Sequence, residues 1–152
     1  MEIERKYLIH QIPFSLEVYE VHRIEQAYLC TEPVIRIRRE DSNFYITYKS
    51  KGLMIREEHN LPLTEESYHH LLKKADGNII TKNRYKIPYN NMNGSYTIEL
   101  DIFSDIFDGL MLAEVEFTTE EEALAFVPPD WFGEDVTFSS EYHNSTLSRL
   151  HY

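Results

Sequence analysis

The first residues of the chain place three charged side chains at every second position. Glu2, Glu4 and Lys6 would fan around a helix, but they share one face of an extended strand. Two carboxylates at this spacing lie about 7 Å apart and repel each other by about 2 kcal/mol at an effective dielectric constant near 20. A bound cation would relieve that repulsion, so the stretch could contribute to a metal site. A solvated edge strand is the alternative interpretation of these residues taken alone.

The same alternation recurs in most of the extended segments that follow, with charges on one face and apolar residues such as Ile37 and Leu100 on the other. The charged residues are the basic Lys6, Arg36, Arg38, Lys49, Arg56, Lys82 and Arg84, and the acidic Glu2, Glu4, Glu58, Glu99, Asp101, Glu114 and Glu116. An ordinary barrel in water would turn its apolar face inward. The placement of the helices decides whether the apolar face or the charged face of the strands points into the barrel.

The chain is predicted to form about eight short strands joined mostly by turns. The predicted strands cover residues 2–9, 22–30, 34–39, 44–50, 54–61, 79–89, 96–103 and 110–117, with turn signals at Asn93-Gly94 and Asp108-Gly109. Sequential strands of this kind tend to close, because closure removes exposed edges. The sequence therefore predicts a mainly β fold of the α+β type: a closed eight-stranded antiparallel barrel, or tunnel, with flanking helices.

Two helices interrupt the strands. Thr64 is the predicted cap of the first, and Thr119 with Glu122 forms a predicted capping box for the second; a short terminal helix is predicted around Leu147. Because helices with apolar stripes need apolar sheet surface, they would cover the outside of the barrel and turn the charged faces inward. A lumen with both signs of charge is costly to desolvate without bound ions. Bases suit phosphate oxygens and carboxylates suit Mg2+ or Mn2+, which favours a metal-bound polyphosphate.

Composition narrows the class of partner. The chain has 152 residues and a formal net charge of −11, which argues against coating nucleic acid or an anionic membrane. Cys30 is the only cysteine, so no intramolecular disulfide can form. The charged N-terminus and the lack of a long apolar run favour a cytoplasmic protein. We expect one domain over residues 1–152 and a small-molecule partner; the sequence does not determine the oligomeric state.

The charged segments also resemble, in order, the sequence blocks of the triphosphate tunnel metalloenzymes, the CYTH superfamily. Glu2-Ile3-Glu4-Arg5-Lys6 is similar to the Glu-x-Glu-x-Lys signature of that family. The further blocks are Gln26-Ala27-Tyr28-Leu29, Arg36-Ile37-Arg38, Thr47-Tyr48-Lys49, Arg56-Glu57-Glu58, Lys82-Asn83-Arg84, Glu99-Leu100-Asp101 and Ala113-Glu114-Val115-Glu116-Phe117. The resemblance covers nearly the whole chain and is greatest to the small bacterial members.

The resemblance implies an eight-stranded tunnel with assigned site residues. Metal ligands would be Glu2, Glu4, Asp101, Glu114 and Glu116; phosphate would be bound by Lys6, Arg36, Arg38, Lys49, Arg56, Lys82 and Arg84; and Glu58, Asp101 and Lys6 would be catalytic. Asp101 and Glu58 would each be a further metal ligand or the group that orients the attacking water. One departure is Glu141, which precedes Tyr142-His143-Asn144 where the family often has a base, so no phosphate contact is assigned to that segment.

The predicted activity is Mg2+- or Mn2+-dependent hydrolysis of the terminal phosphoanhydride of a triphosphate, with inorganic tripolyphosphate as the substrate. The alternatives are a thiamine or nucleoside triphosphatase, an adenylate cyclase that releases pyrophosphate from ATP, and a non-catalytic binder of polyphosphate or nucleotide. The enzymatic alternatives form different products, and the non-catalytic binder would form none.

Overall fold

A computed structural model describes residues 1–150, so the predicted domain boundary at residue 152 lies outside the described range. The strands are β1 Glu2–Leu8, β2 Glu20–Thr31, β3 Val34–Glu40, β4 Asn43–Lys49, β5 Ile55–Arg56, β6 Glu58–Pro62, β7 Asp76–Asn91, β8 Gly94–Phe103 and β9 Met111–Glu116. The helices are α1 Glu65–Leu72, α2 Glu120–Ala125 and α3 Asn144–Leu147, with single 3-10 turns at Asp105–Phe107 and Ser140–Tyr142.

The strands form one antiparallel sheet in the order β5-β1-β9-β8-β7-β2-β3-β4-β6. The two edge strands of this order are separated in sequence by Glu57 alone. On one side Arg56 of β5 pairs with Glu2 of β1, and on the other Glu58 of β6 pairs with Lys49 of β4. One continuous segment therefore joins both edges of the sheet and nearly closes it into a barrel, as predicted.

The strand count differs from the predicted eight, because the predicted strand over residues 54–61 is two short strands. The segment crosses from one sheet edge to the other at Glu57, whose backbone leaves the ladder. The Glu57 amide donates to the Ser50 hydroxyl at 2.9 Å, and the Ser50 amide donates to the Glu57 carbonyl at 3.1 Å. An alternation pattern marks extended backbone and carries no signal for a change of pairing partner.

Apolar side chains cover the outside of the barrel. Leu100 and Val115 are fully buried in a cluster with Phe117 and Phe126, under α2 and the loop that follows it. Tyr68 of α1 is fully buried against Ile37 and its neighbours. Burying a side chain of this size stabilises the fold by about 1.5–3 kcal/mol. The predicted placement of the helices outside the barrel is confirmed, and it leaves the charged faces inside.

The predicted helix caps are present. Thr64 accepts a hydrogen bond from the Ser67 amide at 3.0 Å, and Thr119 accepts one from the Glu122 amide at 3.1 Å. The Glu122 carboxylate, however, accepts from the Thr118 hydroxyl, so it does not complete the predicted capping box. Within residues 1–150, none of the helices combines the length and apolar character needed to cross a membrane.

The C-terminal segment packs closely on β7 at Gly77. Gly77 has φ +73°, and a Cβ atom there would overlap the carbonyl oxygen of Ser148. We therefore expect Gly77→Ala to lower the free energy of unfolding by about 1–3 kcal/mol, measured by urea denaturation. Gly109→Ala is the matched control, because Gly109 has φ +98° but open space around it. Equal losses in the two variants would mean that the close approach contributes nothing.

Candidate active site

A cavity of about 350 Å³ lies inside the barrel. All the predicted site residues except Asp101 line it, so strands distant in sequence bring them together. The lining residues are Glu2, Glu4, Lys6, Arg36, Arg38, Lys49, Arg56, Glu58, Lys82, Arg84, Glu114 and Glu116, together with Tyr28, Val34, Glu40, Tyr45, Asn60, Glu99, His143, Asn144 and Ser145. The inward-facing charged stripes inferred from alternation are thus present in the structure.

Asp101 lies behind the basic side chains of this wall. It has no exposed surface, and both its carboxylate oxygens are occupied. Arg84 contacts them with Nε at 2.8 Å and Nη2 at 2.9 Å, and the Lys82 Nζ lies 2.7 Å from Oδ2. The register explains the contact, because Asp101 of β8 is directly opposite Arg84 of β7. In this arrangement Asp101 holds two bases in place and does not reach the cavity.

The ionisation of this cluster follows from burial and from its neighbours. Burial alone would raise the pKa of Asp101, but the charges of Arg84 and Lys82 outweigh it and lower that pKa. Burial lowers the pKa of Lys82 to about 7, although Asp101 opposes this. Both pKa values fall, which favours the charged form of Asp101 but the neutral form of Lys82, because Lys82 is buried and also faces the like charges of Arg84 and Arg38. Asp101 is therefore ionised, and Lys82 is the most readily deprotonated base of the cluster.

Several carboxylates of the cavity are paired with bases. Lys49 of β4 lies 3.0 Å from Glu2 of β1 and 3.2 Å from Glu58 of β6. Lys6 lies 3.5 Å from Glu114, which is also 3.7 Å from Arg84. Burial acts to raise the pKa of Glu114, but Lys6 and then Arg84 outweigh it and hold that pKa well below its usual value. These pairs offset part of the cost of burying charge.

Among the described cavity residues, two acidic ones on β1 and β9 lack such a partner, as does Glu40 of β3, which accepts from the Tyr45 hydroxyl instead. Glu4 and Glu116 face each other across β1 and β9, and within the described chain neither forms an ion pair with a basic side chain. Burial, together with the nearby Glu114 and Glu2, raises the pKa of Glu4 to about 8. Burial and then Glu58 also raise the pKa of Glu116. The protein therefore does not stabilise the ionised form of these two carboxyl groups with a base of its own.

Three arginines are the basic counterpart. Arg36, Arg38 and Arg56 form no ion pair with any carboxylate in residues 1–150, although all three line the cavity. Arg36 and Arg38 are buried and contact only neutral groups: Arg36 donates to Thr47, while Arg38 donates to Gln26 and Tyr45. The Arg36 Nε is buried and has no hydrogen-bond partner. Uncompensated guanidinium groups of this kind suit an anion with several oxygens.

The carboxylates could hold a divalent cation, but they are not preassembled. Within residues 1–150, no three carboxylate, imidazole or thiol groups converge into a ready-made metal site. Glu2 and Glu114 are turned toward Lys49 and Lys6, so the carboxylates would have to regroup. The donor set still fits a divalent cation, because all of its ligand atoms are oxygens. A bound cation would also lower the pKa of Glu4, which burial raises in the metal-free protein.

Residues 143–145, near the C-terminus, form a part of the wall that was not predicted from the sequence. His143, Asn144 and Ser145 line the cavity, and Lys6 donates to the carbonyl oxygen of Tyr142 at 3.3 Å. Burial, followed by Lys6 and other nearby cations, lowers the pKa of His143 to about 4, so its imidazole is neutral. The available signal was the match of Tyr142-His143-Asn144 to a family block. Glu141, which obscured it, is exposed and is not part of the wall.

Other wall residues carried a signal in the alternation. Glu40 shares the face of Arg36 and Arg38 on β3, and Tyr45 shares the face of Lys49 on β4. Tyr45 donates its hydroxyl hydrogen to Glu40 at 3.1 Å and accepts from Arg38 at 3.2 Å. Following each stripe to the end of its strand would have found both residues.

An antiparallel barrel around a cavity of segregated charges defines a protein built to bind highly charged ligands in its interior. Residues 1–151 match the model of the CYTH domain, and the chain belongs to this family. It is 35% identical to the inorganic triphosphatase of Nitrosomonas europaea, covering 97% of this chain and 96% of that one. It is 31% identical to the inorganic triphosphatase of Acetivibrio thermocellus, covering 99% and 95% respectively.

Solved structures give the same result for the fold. A crystal structure of an inorganic triphosphatase superposes with a TM-score of 0.71 at 32% identity, covering 99% of this chain and 96% of that one. A crystal structure of a putative adenylate cyclase from Bacillus halodurans superposes with a TM-score of 0.61 at 17% identity, covering 100% and 93%. The second similarity concerns the fold alone.

The raised pKa of Glu4 has a consequence for stability. Between pH 4.5 and about 8 the folded protein retains a proton that the unfolded chain releases, so this group destabilises the metal-free fold progressively as pH rises, with no further loss above pH 8. We expect Glu4→Gln to match wild type in thermal stability at pH 5 and to exceed it at pH 8.5. Each unit of pKa shift corresponds to about 1.4 kcal/mol.

Glu114→Gln is the control for this prediction, because the pKa of Glu114 is lowered by Lys6 and Arg84. Its charge stabilises the fold above its ordinary titration range, so its removal should destabilise the protein at both pH values. Parallel loss of stability with pH in wild type and Glu4→Gln would show that folding does not raise the pKa of Glu4.

Proposed function

We propose that this protein is a divalent-metal-dependent hydrolase of the terminal phosphoanhydride of a triphosphate, and that inorganic tripolyphosphate is its substrate. One observation carries the proposal: a single cavity contains unpaired arginines on β3 and unpaired glutamates on β1 and β9. A polyphosphate and a divalent cation supply the charges that those two walls lack. The identity to two inorganic triphosphatases, at 35% and 31%, supports the reaction class.

The basic side chains bind the phosphates in this proposal. Arg36 and Arg38 present guanidinium forks that have no carboxylate partner to release. Such forks form paired, charge-assisted hydrogen bonds with phosphate oxygens. The other members of this basic set are Lys6, Lys49, Arg56, Lys82 and Arg84. Together they offset the negative charge of the phosphate chain and hold its terminal phosphorus near the acidic wall.

The acidic wall holds Mg2+ or Mn2+ in this proposal, through Glu2, Glu4, Glu114 and Glu116. The bound cation would supply positive charge for the phosphate oxygens that become more negative as the reaction proceeds. Asp101, which the family resemblance also implies as a ligand, is engaged by Arg84 and Lys82 at 2.9 Å or less. We therefore assign Asp101 to holding those two bases.

Hydrolysis needs a water molecule placed in line with the terminal phosphoanhydride. The water oxygen attacks the terminal phosphorus, the bond to the bridging oxygen breaks, and pyrophosphate leaves; orthophosphate forms and a proton is released. We propose Glu58 as the residue that orients this water, because it lines the cavity whereas Asp101 does not. Burial would raise the pKa of Glu58, but a hydrogen bond with Glu2 and the charge of Lys49 lower it to about 2. Glu58 is thus an ionised acceptor that orients water.

We also propose that residues 1–152 function as one triphosphate tunnel domain and that the reaction takes place in the cytoplasm. The family match over residues 1–151 supports the first statement. The single cysteine, Cys30, is consistent with a reducing compartment.

The central test measures products from tripolyphosphate, ATP and thiamine triphosphate with Mg2+ and with Mn2+. We expect one orthophosphate and one pyrophosphate per tripolyphosphate, only when a divalent metal is present. Cyclic AMP with pyrophosphate from ATP would identify a cyclase, and preferential cleavage of ATP or thiamine triphosphate would identify an organic triphosphatase. Binding without turnover of any triphosphate, with either metal, would contradict the proposed activity.

The roles of two carboxylates separate in steady-state kinetics. We expect Glu58→Gln to lower kcat by about 10²–10⁴-fold with little change in KM, because it removes the acceptor that orients water. Asp101→Asn should mainly raise KM, since Arg84 and Lys82 lose their anchor. Glu57→Gln is the matched control, because Glu57 precedes Glu58 but is exposed and outside the cavity. A normal kcat in Glu58→Gln would exclude the water-orienting role.

A further inference from the structure

Two neutral amides connect basic residues of the cavity that lie on different strands. The Arg38 Nε donates to the Gln26 Oε1 at 2.8 Å, and the Gln26 Nε2 donates to the Asn144 Oδ1 at 3.0 Å. The Lys82 Nζ donates to the same Asn144 oxygen at 3.0 Å. Gln26 has no exposed surface and Asn144 is 9% exposed. We call Gln26 and Asn144 the amide relay.

The direction of each hydrogen bond in the amide relay is fixed by chemistry. Arginine and lysine only donate, so an oxygen must face Arg38 at one end and Lys82 at the other. Gln26 therefore presents its oxygen to Arg38 and its NH2 group to Asn144, where the remaining acceptor is the Asn144 oxygen. The Gln26 NH2 group also donates to the Tyr28 hydroxyl at 3.2 Å. A carboxylate at position 26 could accept from Arg38 but could not donate onward.

The amides also hold Arg38 without neutralising it, and Asn144 adds a neutral contact to Lys82, which already lies 2.7 Å from Asp101. Arg84 is held by Asp101, and much of its charge is offset by that carboxylate. Arg38 is held by Gln26 and Tyr45, so its full charge remains available to a ligand in the cavity. A site that must attract a polyanion benefits from this difference, because a carboxylate in the wall would repel the ligand it helps to bind.

The amide relay brings the C-terminal segment into the site. Asn144 is the first residue of α3, whereas Gln26 lies on β2 and Lys82 on β7. The segment is fixed to the barrel from outside the cavity by Asn78, whose side-chain NH2 group donates to the carbonyl oxygens of Leu147 at 3.2 Å and Leu150 at 2.6 Å. Asn144 thus supplies an oxygen of α3 to Lys82 inside the cavity, while Asn78 contacts the same segment outside it.

We propose that Gln26 and Asn144 are positioning residues that hold Arg38 and Lys82 in register for the same phosphate chain. The inference rests on the proposed phosphate-binding role of this cavity and assigns to it two residues that contribute no charge. It also gives α3 a function in substrate binding, through Asn144.

The test is isothermal titration calorimetry of tripolyphosphate binding without divalent metal. Only folded variants are compared, each at the same interval below its own thermal unfolding midpoint. We expect Gln26→Leu and Asn144→Leu each to weaken binding about tenfold, because each breaks the same chain of hydrogen bonds. The double variant should bind no more weakly than the weaker single variant, since residues that act through one chain are not additive. Additive losses, or wild-type affinity in both single variants, would overturn the proposal.

Two isosteric variants test the proposal independently and keep it testable if a leucine variant does not fold. Gln26→Glu retains the acceptor for Arg38 but cannot donate to Asn144, and Asn144→Asp retains both accepted hydrogen bonds. Both add a negative charge next to a base, so we expect each to weaken binding at least as much as the corresponding leucine change. Wild-type affinity in these variants would show that neutrality at the two positions is irrelevant.

Asn78→Ala is the matched control, because it removes an asparagine that holds the same C-terminal segment outside the cavity. We expect it to lower thermal stability while tripolyphosphate affinity stays within about twofold of wild type. A loss of affinity equal to that of Asn144→Leu would show that loosening the segment is sufficient and would overturn the positioning role. Binding without hydrolysis in wild type would contradict the hydrolase alone, whereas hydrolysis with unaltered binding in every variant would contradict the amide relay alone.

Discussion

The cost of burying charge is the constraint on which the rest of this structure depends. Taking an ionised group out of water costs several kcal/mol, and this barrel has a lumen lined with such groups. The protein offsets part of that cost internally, with pairs such as Lys49 with Glu2 and Arg84 with Asp101. The remainder falls on Arg36 and Arg38, which have no carboxylate partner within the described chain, and on Glu4, whose burial raises its pKa to about 8. These unpaired groups are the part of the site for which the protein supplies no opposite charge.

An interior of this kind is possible because the apolar packing lies on the other side of the sheet. The alternation of β1 shows this directly: Glu4 and Lys6 face the cavity, while Arg5 lies outside, donating to the Ala123 carbonyl oxygen at 2.6 Å. The helices and the aromatic loop after α2 cover that outer face. Burial of Leu100, Val115 and their neighbours stabilises the fold and compensates for a charged interior. Closure through the β5–β6 crossing completes the wall without a further strand.

Much of this arrangement could be predicted from the sequence, because a period of two residues determines which side chains share a strand face. The barrel and its charged interior follow from that period together with the apolar helices. The period does not determine which charges meet across strands. Asp101 shares the face of Glu99 but is enclosed by Arg84 and Lys82, and that result depends on register and side-chain reach. The crossing at Glu57 was missed for a related reason, since extended backbone looks alike whichever edge it pairs with.

The C-terminal segment shows a second limit of reasoning from charge. Glu141 stands where a base was expected and discouraged a functional assignment, yet its neighbour Asn144 contacts Lys82 at 3.0 Å. A neutral amide leaves no trace in a charge pattern, although it can orient a cation without adding a negative charge to the wall. On the proposed function the same reasoning applies to both ligands. A polyphosphate brings negative charge to the arginines and a cation brings positive charge to Glu4 and Glu116, so each ligand removes electrostatic repulsion that opposes the other. By linkage, their binding free energies are then coupled in both directions.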